Sequence, residues 1–101
     1  MLKNMNQVMK QAQALQEKFK RQLEALEVEA SSGGGMVTVR MSGSKVVTGI
    51  SIDPEVVDPE DVEMLQDLIV AAVNEVARKV DEEAQRQLGS MAGGIKIPGL
   101  F

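Results

Sequence analysis

The chain contains no cysteine, histidine, tyrosine or tryptophan, and only two phenylalanines. Without cysteine there is no disulfide framework, no thiolate metal site and no redox pair, and a reducing cytoplasm is the simplest setting. Without histidine or cysteine the usual general bases, activated nucleophiles and transition-metal ligands are missing. Without tyrosine or tryptophan there is almost no platform on which unstacked bases could lie, which argues against a single-strand reader. No apolar run approaches the roughly 18 residues of a membrane span, the longest being Leu68 to Val73. The first residues are broken by Lys3, Asn4, Asn6, Gln7 and Lys10, so no signal-peptide core is expected. These absences lead us to expect a non-enzymatic protein with no cofactor, no metal, no small-molecule substrate and no membrane partner.

What is present is a sharp division of charge. The chain has 101 residues and a formal net charge of −4, from 11 Lys and Arg against 15 Asp and Glu. Five of those cations (Lys3, Lys10, Lys18, Lys20, Arg21) fall in the first 23 residues with one anion, Glu17. The remaining 78 residues therefore hold six cations and fourteen anions. A basic arm on an acidic body suggests a polyanion partner better than total charge does. At about 100° per residue, Lys3, Lys10 and Arg21 lie within about 20° of one another, with Lys18 about 60° away. Leu2, Met5, Val8, Met9, Ala12, Leu15, Phe19 and Leu23 take the opposite side. The pattern is an amphipathic helix with a basic outward face, bordered by the neutral donors Asn4, Gln7 and Gln11.

Apolar spacings of three and four, uninterrupted by Gly or Pro, predict a helix over residues 3–24. From Leu26 the period becomes two. Leu26, Val28 and Ala30, then Val37, Val39 and Met41, then Val46, Thr48, Ile50 and Ile52 alternate with polar or small residues. Turns at Ser31 to Gly35 and at Ser42-Gly43-Ser44 separate them. Three antiparallel strands within 26–53, in a meander with one buried face, follow. Asp58-Pro59-Glu60-Asp61 is a helix-start sequence, with Asp58 as cap and Pro59 in the first turn. It predicts a second helix over 59–88, stopped by Gly89. The fold class is α+β, helix–three strands–helix, as one domain over residues 1–88 with a mobile Gly- and Pro-containing tail over 89–101. The second helix is apolar nearly all round, so we expect it buried on two sides, the second side by another copy of the chain. Leu68, Ile69, Ala72, Val73 and Val76 are the expected dimer contacts.

Other patterns have plainer explanations. Ser31-Ser32-Gly33-Gly34-Gly35 lacks the Lys-Ser/Thr of a phosphate loop and leads into a strand, so a hairpin turn explains it. The acidic group Asp53, Glu55, Asp58, Glu60, Asp61 and Glu63 does not have calcium-loop spacing; capping and helix-dipole chemistry account for it. The first helix's apolar stripe fits a core or coiled-coil seam better than a membrane surface. It also supports an alternative function, a protein-interaction adaptor that uses this amphipathic helix.

The chain resembles the YbaB/EbfC family of bacterial nucleoid-associated proteins. The likeness rests on Met5 to Glu17 (MNQVMKQAQALQE), Gly33 to Val39 (GGGMVTV), Val57 to Asn74 (VDPEDVEMLQDLIVAAVN) and the ending Gly93-Gly94…Pro98-Gly99-Leu100-Phe101. It implies the fold just described, a homodimer with projecting long helices, a location in the cytoplasmic nucleoid, and double-stranded DNA as partner. It further implies DNA contacts from helices near both ends of the chain. Carried onto this sequence, these are Lys3, Lys10, Lys18, Lys20 and Arg21, followed by Arg78, Lys79 and Arg86. Two features depart from the family pattern: relatives often carry a longer lead rich in Gly, Met and Lys, and a pI near 4.8 is low for a DNA binder.

Overall fold

The computed structural model describes the backbone of residues 2–91 and the side chains of residues 4–90. A long helix, α1 (Leu2–Ala25), leads into strands β1 (Glu27–Ser32), β2 (Val37–Ser42) and β3 (Val47–Ile52). A short helical turn at Pro54–Val56 follows, and then a second long helix, α2 (Val62–Met91). The sheet is an antiparallel meander in the order β1-β2-β3. This is the α+β architecture that the change of period from about 3.6 to two predicts.

Register explains what the sheet buries. Ala30 stands opposite Val39, Val28 opposite Met41, and Ile52 opposite Val37. These residues share one face, and α2 lies across it over β1 and β2. Ala30, Val37, Val39 and Met41 are buried there against Ala72, Val76 and Val80. Alternate residues turn the other way. On that side Ser31 and Thr38 share a hydroxyl hydrogen bond of 2.8 Å, and Arg40 pairs with Glu27 at 3.5 Å. The β1–β2 hairpin turns on Gly33, Gly34 and Gly35, all with positive φ. Gly33 is doubly required, because a Cβ there would come within 2.7 Å of Leu68 Cδ2 on α2.

Three expectations change. Strict alternation puts Thr48 on the inner face of β3, but the register shifts between Arg40 and Met41, so that Val47 stands opposite Met41. Thr48 is the extra residue of a bulge, a displacement that alternation alone does not reveal. Second, α2 begins at Val62 rather than 59. Asp58 Oδ1 accepts from Glu60 N at 2.9 Å and Asp58 O accepts from Asp61 N at 3.0 Å, closing a turn with Pro59 at its second position. The capping carboxylate is Asp61, whose Oδ1 accepts from Met64 N at 3.2 Å. Third, Gly89 does not stop the helix, which continues to Met91. A glycine inside a helix costs only about 1 kcal/mol relative to alanine, and nothing in the next two residues forces a break. The rest of the expected tail, 92–101, lies outside the described residues.

Candidate nucleic-acid interface

Among the described residues, α1 is attached to the body only towards its C-terminal end. Leu26 N donates to Gln22 O at 3.1 Å, closing the last turn, and Gly43 N in the β2–β3 turn donates to Leu26 O at 3.1 Å. Phe19, Gln22 and Leu23 are half-buried at this joint, and Gly43 is buried under Leu23. Every residue from Asn4 to Lys18 is exposed. The molecule accordingly extends 70 Å along its longest axis, with cross-dimensions of 23 and 16 Å. Its radius of gyration is 19.3 Å, against about 13 Å for a compact chain of this length.

On this arm Lys10, Lys18 and Lys20 are exposed and, among the described residues, have no carboxylate within ion-pairing distance. Arg21 faces Glu17 one turn back at 3.5 Å, with both side chains at least 70% exposed. An exposed pair of this kind is worth only about 0–1 kcal/mol, so a phosphate can displace it. Lys3 belongs to the same face by periodicity, but its side chain is not among those described.

The cations of α2 are committed elsewhere. The Arg78 guanidinium reaches Glu75 Oε1 at 2.6 Å and also bonds Glu82. Arg86 bonds Glu83 at 2.7 Å. Lys79 Nζ donates to Glu29 O of β1 at 3.3 Å. The Arg78 hydrogen bond holds the Glu75 carboxyl below its usual range, aided by the Coulombic pull of Arg78 and Lys79 and opposed by desolvation. Glu75 in turn raises Arg78. Of the eight expected DNA contacts, the structure therefore places Lys10, Lys18, Lys20 and Arg21 on the projecting arm, holds Arg78 and Arg86 in local pairs, and turns Lys79 to a carbonyl of β1. Lys45, which the sequence reading passed over, pairs with Asp81 at 2.7 Å and ties the β2–β3 turn to α2.

The expected dimer contacts divide as well. Ala72 and Val76 are fully buried in the protomer's own core, so neither is available to a second chain. They lie at the centre of the α2 face that covers β1 and β2. Leu68, Ile69 and Val73 border the core and remain partly exposed. The sequence reading missed the open apolar surface at β3 and the residue before it, where Val46, Val47 and Ile50 are 43–58% exposed. Ile50 shares the inner face with Val39, but α2 does not extend over it. The signal was available: one helix is too narrow to cover three strands.

The acidic group is spent on chain geometry. Asp53 Oδ1 accepts from Glu55 N at 3.0 Å, Asp58 closes the turn before α2 and Asp61 caps that helix. Among the described residues no cluster of acidic side chains is placed to hold a metal ion. No described helix is long and apolar enough to cross a membrane.

Residues 1–95 match the model of the YbaB/EbfC DNA-binding family. The chain belongs to that family. A nucleoid-associated protein of Alkaliphilus metalliredigens is 58% identical over 101 residues, covering 97% of this chain and 89% of that one. Another, from Syntrophobacter fumaroxidans, is 55% identical over 95 residues, covering 91% and 86%. The crystal structure of an uncharacterized protein from Helicobacter pylori superposes with a TM-score of 0.69. Their identity is 24%, over 85% of this chain and 94% of the other, so this likeness speaks to the fold. The family is one of nucleoid-associated DNA-binding proteins rather than of enzymes.

Proposed function

We propose that the protein binds double-stranded DNA through the basic face of α1, with little sequence preference, as a homodimer in the bacterial nucleoid. One observation carries the reading: Lys10, Lys18 and Lys20 stand exposed, and unpaired among the described residues, on a helix that projects from an acidic body. Cations already neutralised by carboxylates, such as Arg78 and Arg86, add little to phosphate binding, whereas Lys10, Lys18 and Lys20 of α1 have no carboxylate partner among the described residues. Lys and Arg without companions that read base edges make contacts that position a protein without specifying sequence. In a dimer the arm is doubled, and two basic helices can flank one duplex despite the net charge of −4 per chain. A second copy would cover the apolar surface left at Val47 and Ile50 of β3 and at Leu68, Ile69 and Val73 of α2. Compaction or occlusion of DNA is the activity such binding supports.

With about six to eight phosphates neutralised per dimer, log K should fall against log salt with a slope of about −5 to −7. Fluorescence anisotropy of two unrelated duplexes of about 30 base pairs, from about 25 to about 250 mM salt, tests this. Equal affinities and a steep slope are expected. Absence of binding at the lowest salt would overturn the reading and leave the adaptor function of the amphipathic helix in its place.

A further inference from the structure

The end of the sheet farthest from the arm carries residues that phosphate binding does not use. Register places it. α1 joins the sheet where Glu27 stands opposite Ser42, and the glycine hairpin lies at the other end of the same ladder, where Ser32 stands opposite Val37. The ladder between them spans about 17 Å. At the hairpin end Ser32 Oγ donates to Leu68 O at 2.6 Å and fastens the turn to α2. Leu68 and Met36 converge on the bare Cα of Gly33: a Cβ there would stand 2.7 Å from Leu68 Cδ2 and 3.4 Å from Met36 Sδ. Beside them Asp61, Glu63, Met64, Asp67 and Leu68 line a shallow cavity of about 350 Å³. Met36 and Met64 remain 42% and 40% exposed.

We propose that this groove receives a cationic amphipathic segment of another protein. Charge selects that occupant. Between Lys45 and Arg78 the sequence holds eight Asp and Glu and no Lys or Arg. Asp53, Asp58 and Asp61 serve the turns and the helix cap, but Glu63 and Asp67 on the groove bond no cation among the described residues. Glu63 complements the positive end of α2, whereas Asp67 lies beyond the first turn, where that field has faded. Free carboxylates repel phosphates and anionic lipids and attract Lys and Arg. The floor adds a second demand, because methionine side chains adapt to apolar partners of varied shape. A helix with cations beside an apolar stripe meets both demands at once.

The groove lies apart from the surface assigned above to a second copy. At about 100° per residue, Met64 and Leu68 fall on the side of α2 that carries Lys79, which reaches Glu29 of β1, while Val73 falls on the opposite side. Of the residues assigned to a second copy only Leu68 lies here, and it forms the floor, half-buried beneath the hairpin. The cavity is at the small end of the range for ligand pockets, so the affinity is modest. Groove and arm stand at opposite ends of the sheet, which lets one molecule hold a duplex and a cationic partner together. That consequence rests on the DNA reading above; the groove does not.

The test uses the full-length protein without DNA, so it stands whatever becomes of the DNA reading. The probe is a fluorescent peptide of about three helical turns built of Leu and Lys, beside a control of equal charge with Ser in place of Leu. The Leu/Lys peptide should bind several-fold more tightly than the control and resist displacement by spermine. Met36→Gln with Met64→Gln, at two exposed positions, should abolish that advantage while thermal unfolding stays as in the parent. Glu63→Gln with Asp67→Asn should weaken both peptides. In amide spectra of the parent protein, the peptide should shift Met36 and the stretch from Met64 to Leu68 most, a result that decides the matter even if a variant folds poorly. Equal binding of the two peptides, an advantage that survives the methionine substitutions, ready displacement by spermine, or shifts spread along the acidic segment would reduce the groove to diffuse charge attraction and overturn the proposal. Movement of the Met36 and Met64 signals on dilution of the protein alone would put a second copy in the groove and overturn it equally.

Discussion

The two long helices of this molecule differ in what their side chains are occupied with. α1 carries five cations against two anions and, among the described residues, rests on the body only over its last two turns, so Lys10, Lys18 and Lys20 remain available. α2 carries three cations against six anions and lies on the sheet with Ala72, Val76 and Val80 buried. Its cations bond Glu75, Glu82, Glu83 and the carbonyl of Glu29. An arginine count would rank α2 above α1 as a phosphate binder. On the function proposed above pairing reverses the rank, because a phosphate approaching Arg78 must displace two carboxylates and pass their charge. Hydrophobic periodicity alone does not report burial either: both helices carry apolar stripes, but that of α1 is open from Met5 to Leu15 while that of α2 is covered by the sheet.

Identical substitutions in the two helices give the largest contrast. Val76→Asp leaves an uncompensated charge in the core and should cost about 3–5 kcal/mol, enough to unfold so small a domain. Val8→Asp, on the projecting part of α1, should change stability by no more than about 0.5 kcal/mol in urea unfolding. Comparable losses would mean that the α1 stripe is packed in the free protein. Charge reversal comes next. Lys10→Glu with Arg21→Glu should weaken DNA binding by more than tenfold and flatten the salt slope by about 0.9 for each phosphate no longer neutralised. Arg78→Gln with Arg86→Gln should leave both nearly unchanged, as anisotropy titrations will show.

The joint between arm and body is the next target. At Gly43 a Cβ would stand 2.3 Å from the Leu23 carbonyl oxygen. Gly43→Ala should therefore cost about 1–3 kcal/mol in thermal unfolding through overpacking at this point. The smallest effect concerns Glu75. Its carboxyl is lowered in the folded protein by the Arg78 hydrogen bond, so the bond's stabilisation is present above the ordinary carboxylate pKa and disappears as pH falls through the lowered one. Unfolding of Glu75→Gln should thus be slightly easier than that of the parent at neutral pH and indistinguishable from it in acid. A difference that grew on acidification would contradict the assigned pairing.

Much of this architecture was legible in the residues because period and turn chemistry agreed at nearly every element. The switch at Leu26, the glycine-rich hairpin and the meander order all follow from local pattern. The errors fall where local pattern is silent. Alternation could not show the bulge that brings Val47 opposite Met41, and two aspartates three residues apart made the cap ambiguous between Asp58 and Asp61. For the interface, the basic face of α1 was visible because it depends on one helix's own periodicity. The occupation of Arg78 is also local, since Glu75 and Glu82 lie three and four residues away. That spacing could have been read from the sequence, whereas the reach of Lys79 to Glu29 spans 50 residues and could not.

The central claim is that duplex DNA meets α1 and leaves α2 free. Backbone amide shifts of the isotope-labelled protein, followed by NMR as a duplex is added at low salt, test it most directly. The largest perturbations are expected between Lys10 and Arg21, with little change from Glu75 to Arg86. Perturbations centred on Arg78 and Arg86, with those of α1 unmoved, would contradict it.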